Sequence, residues 1–113
     1  MDLLLEDDRS AAWTIVRVSG ELDLHTSPRL REHVLSIVGH ATAGTRVALD
    51  LSGVGFLDSS GLGSLVTCLK RVREAGGRLV LVGVSGSPMK VFSLTGLDRV
   101  FEIVDSTADL AAG

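Results

Sequence analysis

The chain has 113 residues, 45% of them apolar and 22% charged, which is the composition of one globular domain rather than of a disordered tail or a coiled-coil rod. Eleven Lys and Arg against fourteen Asp and Glu leave a net charge of −3 with the histidines neutral, which argues against a general nucleic-acid binder and its basic stripe. The length excludes a large catalytic machine with its own cofactor domain, and the single cysteine, Cys68, can form neither an internal disulfide nor a multi-thiolate metal site.

Leu3-Leu4-Leu5 opens a short first strand. The apolar run there is too short and its flank too acidic for a secretory leader, and no stretch approaches a membrane span, so the expected location is the cytoplasm. Residues 13–19 alternate, with Trp13 and Ile15 on one side and Thr14, Val16 and Val18 on the other. They predict a strand, joined to the first by a hairpin through Arg9-Ser10-Ala11 and broken by Gly20. Ser27-Pro28 predicts a helix start capped by the serine. Leu30, Val34, Ile37 and Val38 form its apolar stripe, Gly39 its stop and residues 41–44 a small-residue connector.

Residues 46–51 predict a strand with Val47, Leu49 and Leu51 facing one way. A helix over 60–74 buries Leu62, Leu65, Val66, Leu69 and Val72, carries Arg71 and Arg73 where positive charge suits its C-terminal dipole, and ends at Gly76-Gly77. Cys68 lies beside that apolar face as a packing residue. Leu79 to Val82 predict a strand covered on both faces. Ser87-Pro88 opens a short helix with Val91 and Phe92, ended by Gly96, after which Leu97 packs back. A last strand covers 100–104, and Asp105-Ser106 start a truncated final helix through Leu110. Single strands separated by helices imply right-handed crossovers and a single α/β domain. Its central sheet is mixed but mostly parallel, flanked by helices, with the antiparallel part at the N-terminal edge.

Residues 53–63, Gly-Val-Gly-Phe-Leu-Asp-Ser-Ser-Gly-Leu-Gly, are the unusual stretch. Asp58, Ser59 and Ser60 stand at a strand-to-helix turn, the kind of place where open α/β sheets bind ligands and partners. One serine can cap the helix while the other points outward. Gly61 and Gly63 weaken the helix and lower the steric screen around the serines, which implies close contact or backbone constraint. The local pattern leaves three readings: ordinary capping, a modified or partner-binding serine, or a nucleophile. The last lacks the flanking glycines of a nucleophile elbow, because Ser59 has Leu57 and Gly61 two residues away and Ser60 has Asp58 and Leu62. His25, His33 and His40 form no evident activating base. Gly83 to Lys90 lack the Gly-Lys-Ser/Thr ending of a phosphate loop, and Gly61-Leu62-Gly63 is followed by Val66 where a dinucleotide fingerprint has its third glycine. Upstream, Gly20-Glu21-Leu22-Asp23 leads through His25 to the first helix, and by itself reads as a solvated acidic loop.

Together, Gly20-Glu21-Leu22-Asp23 and the stretch from Leu49 through Asp58-Ser59-Ser60-Gly61 to Gly63 resemble the two signature stretches of the STAS family, and more narrowly of bacterial anti-sigma factor antagonists. The resemblance spans nearly the whole chain, read as one STAS domain over residues 1–113. It implies a non-enzymatic protein without cofactor, whose unphosphorylated form binds an anti-sigma factor serine kinase and so releases a sigma factor. ATP belongs to the kinase. The first serine of the motif, Ser59, matches the phosphorylation site, and a metal-dependent serine phosphatase reverses the modification. Asp23 and Asp58 match the acids of the two stretches. The implied partner-binding set is Asp23, Thr26, Ser27, Asp58, Ser59, Ser60, Gly61 and Leu62, with no direct contact to nucleic acid or membrane. Leu24 stands where relatives often carry a polar residue, a departure that bears on partner choice. The alternative is a STAS-type signalling scaffold or adaptor with a partner other than an anti-sigma factor.

Overall fold

The structure, a computed structural model, describes residues 3–10, 12–40 and 44–110. The elements are β1 (Leu3–Ser10), β2 (Trp13–Leu22), α1 (Ser27–Gly39), β3 (Arg46–Leu57), α2 (Ser59–Glu74), β4 (Arg78–Val82), α3 (Gly86–Thr95) and β5 (Glu102–Val104), with short 3₁₀ turns at Leu97–Arg99 and Thr107–Asp109. The strands form one five-stranded sheet in sequence order, with β1 antiparallel to β2 and every other neighbour pair parallel.

That order has a direct consequence. Each crossover steps one strand in the same direction, so connections of one hand put their helices on one face. Leu30 and Val34 of α1, Leu62, Leu65, Leu69 and Val72 of α2 and Phe92 of α3 accordingly join one core with Val16, Val18, Val47, Leu49, Leu79 and Leu81 of the sheet. The other face holds a smaller cluster of Trp13, Ile15, Ala48, Val80 and Val82, against which Val104 and Leu110 pack. The strand alternation thus sorts the side chains as the sequence predicts, and β4 is buried on both faces.

Several boundaries differ from the sequence reading. β1 is not a three-residue strand but runs on through Ser10, because the polar residues Glu6 to Ser10 pair with Arg17 to Trp13 without any apolar alternation. Arg9 and Ser10 are therefore strand residues, and Ala11 lies outside the described residues, as do 41–43 of the predicted connector. Gly20 does not end β2. It sits in the strand at φ 110°, beside one of two register shifts against β3. β3 does not stop at Leu51 but continues to Leu57.

Between Arg17↔Asp50 and Ser19↔Gly53, and again between Gly20↔Val54 and Glu21↔Phe56, β3 carries one residue more than β2. These bulges change the spacing of core positions on β3 from two residues, Val47, Leu49 and Leu51, to three, Val54 and Leu57. α3 begins at Gly86 rather than at Ser87-Pro88, and Gly96 ends it in the left-handed region at φ 77°. The last strand keeps only three residues, Val100 being exposed, and the final helix is the 3₁₀ turn at Thr107–Asp109, closed by reciprocal bonds between Ser106 and Asp109.

Candidate functional site: the paired turns after β2 and β3

Leu22 pairs with Leu57, so the chain leaves β2 and β3 at adjacent points, and Asp23 and Asp58 are the first residues beyond. The two motifs, 35 positions apart in sequence, are neighbours because of this register.

The turn after β2 is closed by Asp23 and Thr26. Asp23 Oδ1 accepts the backbone N–H groups of His25 at 2.9 Å and Thr26 at 3.0 Å. The Thr26 hydroxyl donates to the Glu21 carbonyl at 2.7 Å and accepts the Asp23 N–H at 2.9 Å, and it lies 3.1 Å from Asp23 Oδ1. These bonds favour the carboxylate, and the Thr26 N–H contributes most to holding the Asp23 pKa below the usual aspartate value. Ser27 does not cap α1. The cap position is Thr26, whose hydroxyl is engaged in the loop, and Ser27 is already helical and buried.

The turn after β3 has no loop residue but Asp58, which caps α2 by accepting the Gly61 N–H at 2.9 Å. Neither serine is the cap, contrary to the sequence expectation. A carboxylate in the extended conformation one residue before the helix takes that place, and it suits the positive end of the helix dipole. Ser59, the first helical residue, is exposed, and Ser60 is half-buried.

The two turns are keyed together at one atom. The Leu22 carbonyl accepts the Asp58 N–H at 3.3 Å, and a Cβ on Gly61 would stand 2.3 Å from that oxygen and 2.8 Å from Leu57 Cδ1. Gly61 is glycine because α2 starts against the end of β2. Of the residues implied by sequence, Asp23, Ser59 and Ser60 reach the surface. Thr26, Ser27, Gly61 and Leu62 are buried and build the turns from within. Leu24 and Phe56, 66% and 45% exposed, add apolar surface at this end of the sheet.

Sequence reasoning missed the bridge between the helices. The Ser64 hydroxyl is buried, donates to the Ser27 carbonyl at 3.0 Å and receives Arg31 Nη1 at 3.0 Å. No pattern in the sequence joins positions 33 residues apart, so only the packing of α1 on α2 reveals it. Cys68 is buried as predicted, and burial pushes its thiol up to about 12, an inert packing residue. A larger hollow of ≈ 810 Å³ lies near the opposite end of β2 and β3, by Thr14 and Arg46. The acids on its lining are already paired, Asp7 with His33 at 2.6 Å and Asp8 with Arg17 at 3.2 Å. Among the described residues no three His, Cys, Asp or Glu side chains are grouped to hold a metal ion, and no helix is long and apolar enough to cross a membrane.

Comparison with known proteins agrees with this geometry. The sequence model of the STAS domain matches residues 5–110. The anti-sigma-B factor antagonist of Listeria monocytogenes is 36% identical over 86 residues, 76% of this chain and 74% of that protein. Among solved structures, an anti-sigma factor antagonist from Mycobacterium paratuberculosis superposes with a TM-score of 0.83 at 27% identity, covering 96% of this chain and 90% of the other. The Bacillus cell fate determinant SpoIIAA in its phosphorylated form gives 0.69 at 26% identity, covering 94% and 92%. The chain belongs to the STAS domain family, among the bacterial anti-sigma factor antagonists.

Proposed function

We propose that the unphosphorylated chain binds an anti-sigma factor that is a serine kinase, releasing the sigma factor held by it, and that phosphorylation of Ser59 switches this binding off. The observation that carries the reading is that Ser59 is exposed at the start of α2 while Asp58, not a serine, makes the cap bond. The fold has no need of the Ser59 hydroxyl, which leaves it available for modification. The Bacillus relative solved in a phosphorylated form supports a phosphoryl switch in this family.

The physical consequence of the modification is local. A phosphate on Ser59 adds about −1.5 to −2 charges at neutral pH. The group stands beside Asp58 and, through the Leu22↔Leu57 pairing, at the same end of the sheet as Asp23. The N-terminus of α2 stabilises the added charge within the domain. A partner surface fitted to a neutral hydroxyl meets a bulky, hydrated dianion instead. The fold therefore persists while binding fails. A serine phosphatase restores the hydroxyl and with it the binding form.

The test compares purified wild type, Ser59→Ala and phosphorylated wild type against the cognate kinase. Ser59→Ala is expected to stay folded and bound without accepting phosphate, and phosphorylated wild type to lose affinity. Equal affinity of the two wild-type forms rejects the switch. Phosphate mapped to Ser60 rejects the residue assignment.

A further inference from the structure

Gly63 is a glycine that the fold does not require. A Cβ at this position would meet nothing within 4 Å, and the residue is exposed in the interior of α2. Glycine is the poorest residue there except proline. The missing side chain lies on a groove of ≈ 440 Å³ between α1 and α2, lined by Leu24, Pro28, Arg31, Ser60, Gly63 and Ser64 among others. Its polar base is fixed by the Arg31–Ser64–Ser27 bridge. Arg31 has no carboxylate within salt-bridge distance among the described residues, and its printed side-chain bond goes to the neutral Ser64 hydroxyl. Leu24 adds an apolar side chain, 66% exposed, and Ser60 makes the groove continuous with the Ser59 turn.

We infer that this groove seats a segment of the anti-sigma partner that lays an apolar side chain on Leu24 and Pro28 and brings a carboxylate to Arg31, with Gly63 admitting the segment close to the α2 backbone. The inference rests on the function proposed above and adds the chemistry of the contact. It also gives the phosphate a definite opponent. A dianion on Ser59, next to Ser60 on the groove, repels the same partner carboxylate that Arg31 attracts.

The experiment measures the melting temperature, and the affinity for the purified cognate kinase, of wild type, Gly63→Ala and Arg31→Gln. Gly63→Ala is expected to raise the melting temperature by about 4 °C, because alanine favours the helix and meets no atom, and to weaken binding about tenfold. Arg31→Gln removes the charge and keeps a polar, uncharged side chain in the groove. It is expected to weaken binding about tenfold at low salt and by less at high salt, as a charge pair requires. Wild-type affinity in Gly63→Ala, or a lowered melting temperature showing that the glycine serves the fold, overturns the inference. So does an Arg31→Gln loss that salt does not change. If these fail while wild type binds the kinase, the groove alone is rejected. If wild type binds no anti-sigma kinase, the proposed function falls and the groove assignment falls with it.

Discussion

β2 and β3 end side by side at Leu22 and Leu57, and each is followed at once by an aspartate. Asp23 closes a loop on itself, taking the N–H groups of His25 and Thr26, whereas Asp58 reaches forward to the Gly61 N–H and starts a helix. The first turn buries the Thr26 hydroxyl before α1 begins, and α1 opens on the buried Ser27. The second leaves its serines unneeded by the cap. The difference teaches how the serine proposed as the switch is kept free of a capping role. Just past Ser59, Asp58 takes the Gly61 and Leu62 N–H groups, and the neighbouring turn supplies the wall against which α2 is set.

That wall is the place to break the arrangement most severely. Gly61→Ala drives a Cβ into the Leu22 carbonyl, a backbone atom that cannot swing aside. The first turn of α2 must lift from β2, and a loss of about 3 kcal/mol in urea unfolding is expected, at the upper end of overpacking costs. A loss below about 0.5 kcal/mol would mean that the two turns are not keyed at this point.

Thr26→Val separates the turns in another way. The substitution keeps the shape and removes the hydroxyl that both donates to Glu21 and accepts from Asp23. Thr26 is 4% exposed, so water does not readily replace it. About 2 kcal/mol of stability should disappear, with a part-buried carbonyl and N–H left short of partners. Amide hydrogen exchange should quicken at Asp23 and leave the start of α2 protected. Exchange that quickens equally in both turns would show them to be one cooperative unit.

Asp58 is the gentler test of the second turn. Asp58→Ala removes the acceptor for the Gly61 N–H and should lower stability by about 1 kcal/mol. Asp58→Asn keeps a side-chain oxygen and should cost only a few tenths. If alanine and asparagine behave alike, the bond to Gly61 is not what starts α2, and Ser59 would regain a capping role.

The same comparison explains what could be read from the sequence. The succession of strands and helices along the chain, the helix faces and the placing of Leu65, Val72 and Cys68 in the core were legible, since each follows from a regular period. β3 beyond Leu51 was not, because its bulges replace alternation by a spacing of three, and a period-two reading ends where the period does. β1 beyond Leu5 was hidden for a different reason. An edge strand whose outer half is Glu6, Asp7, Asp8, Arg9 and Ser10 shows no apolar signal, and such charges also discourage pairing with another chain. The two turns were legible as motifs but not as mechanisms. Serine and aspartate are both good caps, and only the geometry assigns the bond to Asp58. Gly61 and Gly63 look alike in sequence, yet a Cβ on the first would run into the Leu22 carbonyl while a Cβ on the second would meet nothing within 4 Å.

The smallest effect isolates charge from hydrogen bonding in the first turn. Asp23→Asn retains an Oδ1 acceptor for the Thr26 and His25 N–H groups and removes only the negative charge that those donors favour. The folded-state pKa of Asp23 lies below its ordinary value, with the Thr26 N–H as the main cause. An aspartate shifted in this direction binds its proton more readily in the unfolded chain than in the folded one. Its contribution is therefore fully present above the unfolded pKa and is lost as pH falls through the folded one. The stability difference between wild type and Asp23→Asn should be constant from neutral pH to about pH 5 and shrink steadily toward about pH 2. Thermal unfolding across that range measures it. A difference that does not shrink in acid would show the Asp23 charge to be immaterial to the loop. If the kinase then binds Asp23→Asn less well at neutral pH, where the loop is intact by circular dichroism, the charge belongs to recognition, the role proposed for it at the end of the sheet it shares with Ser59.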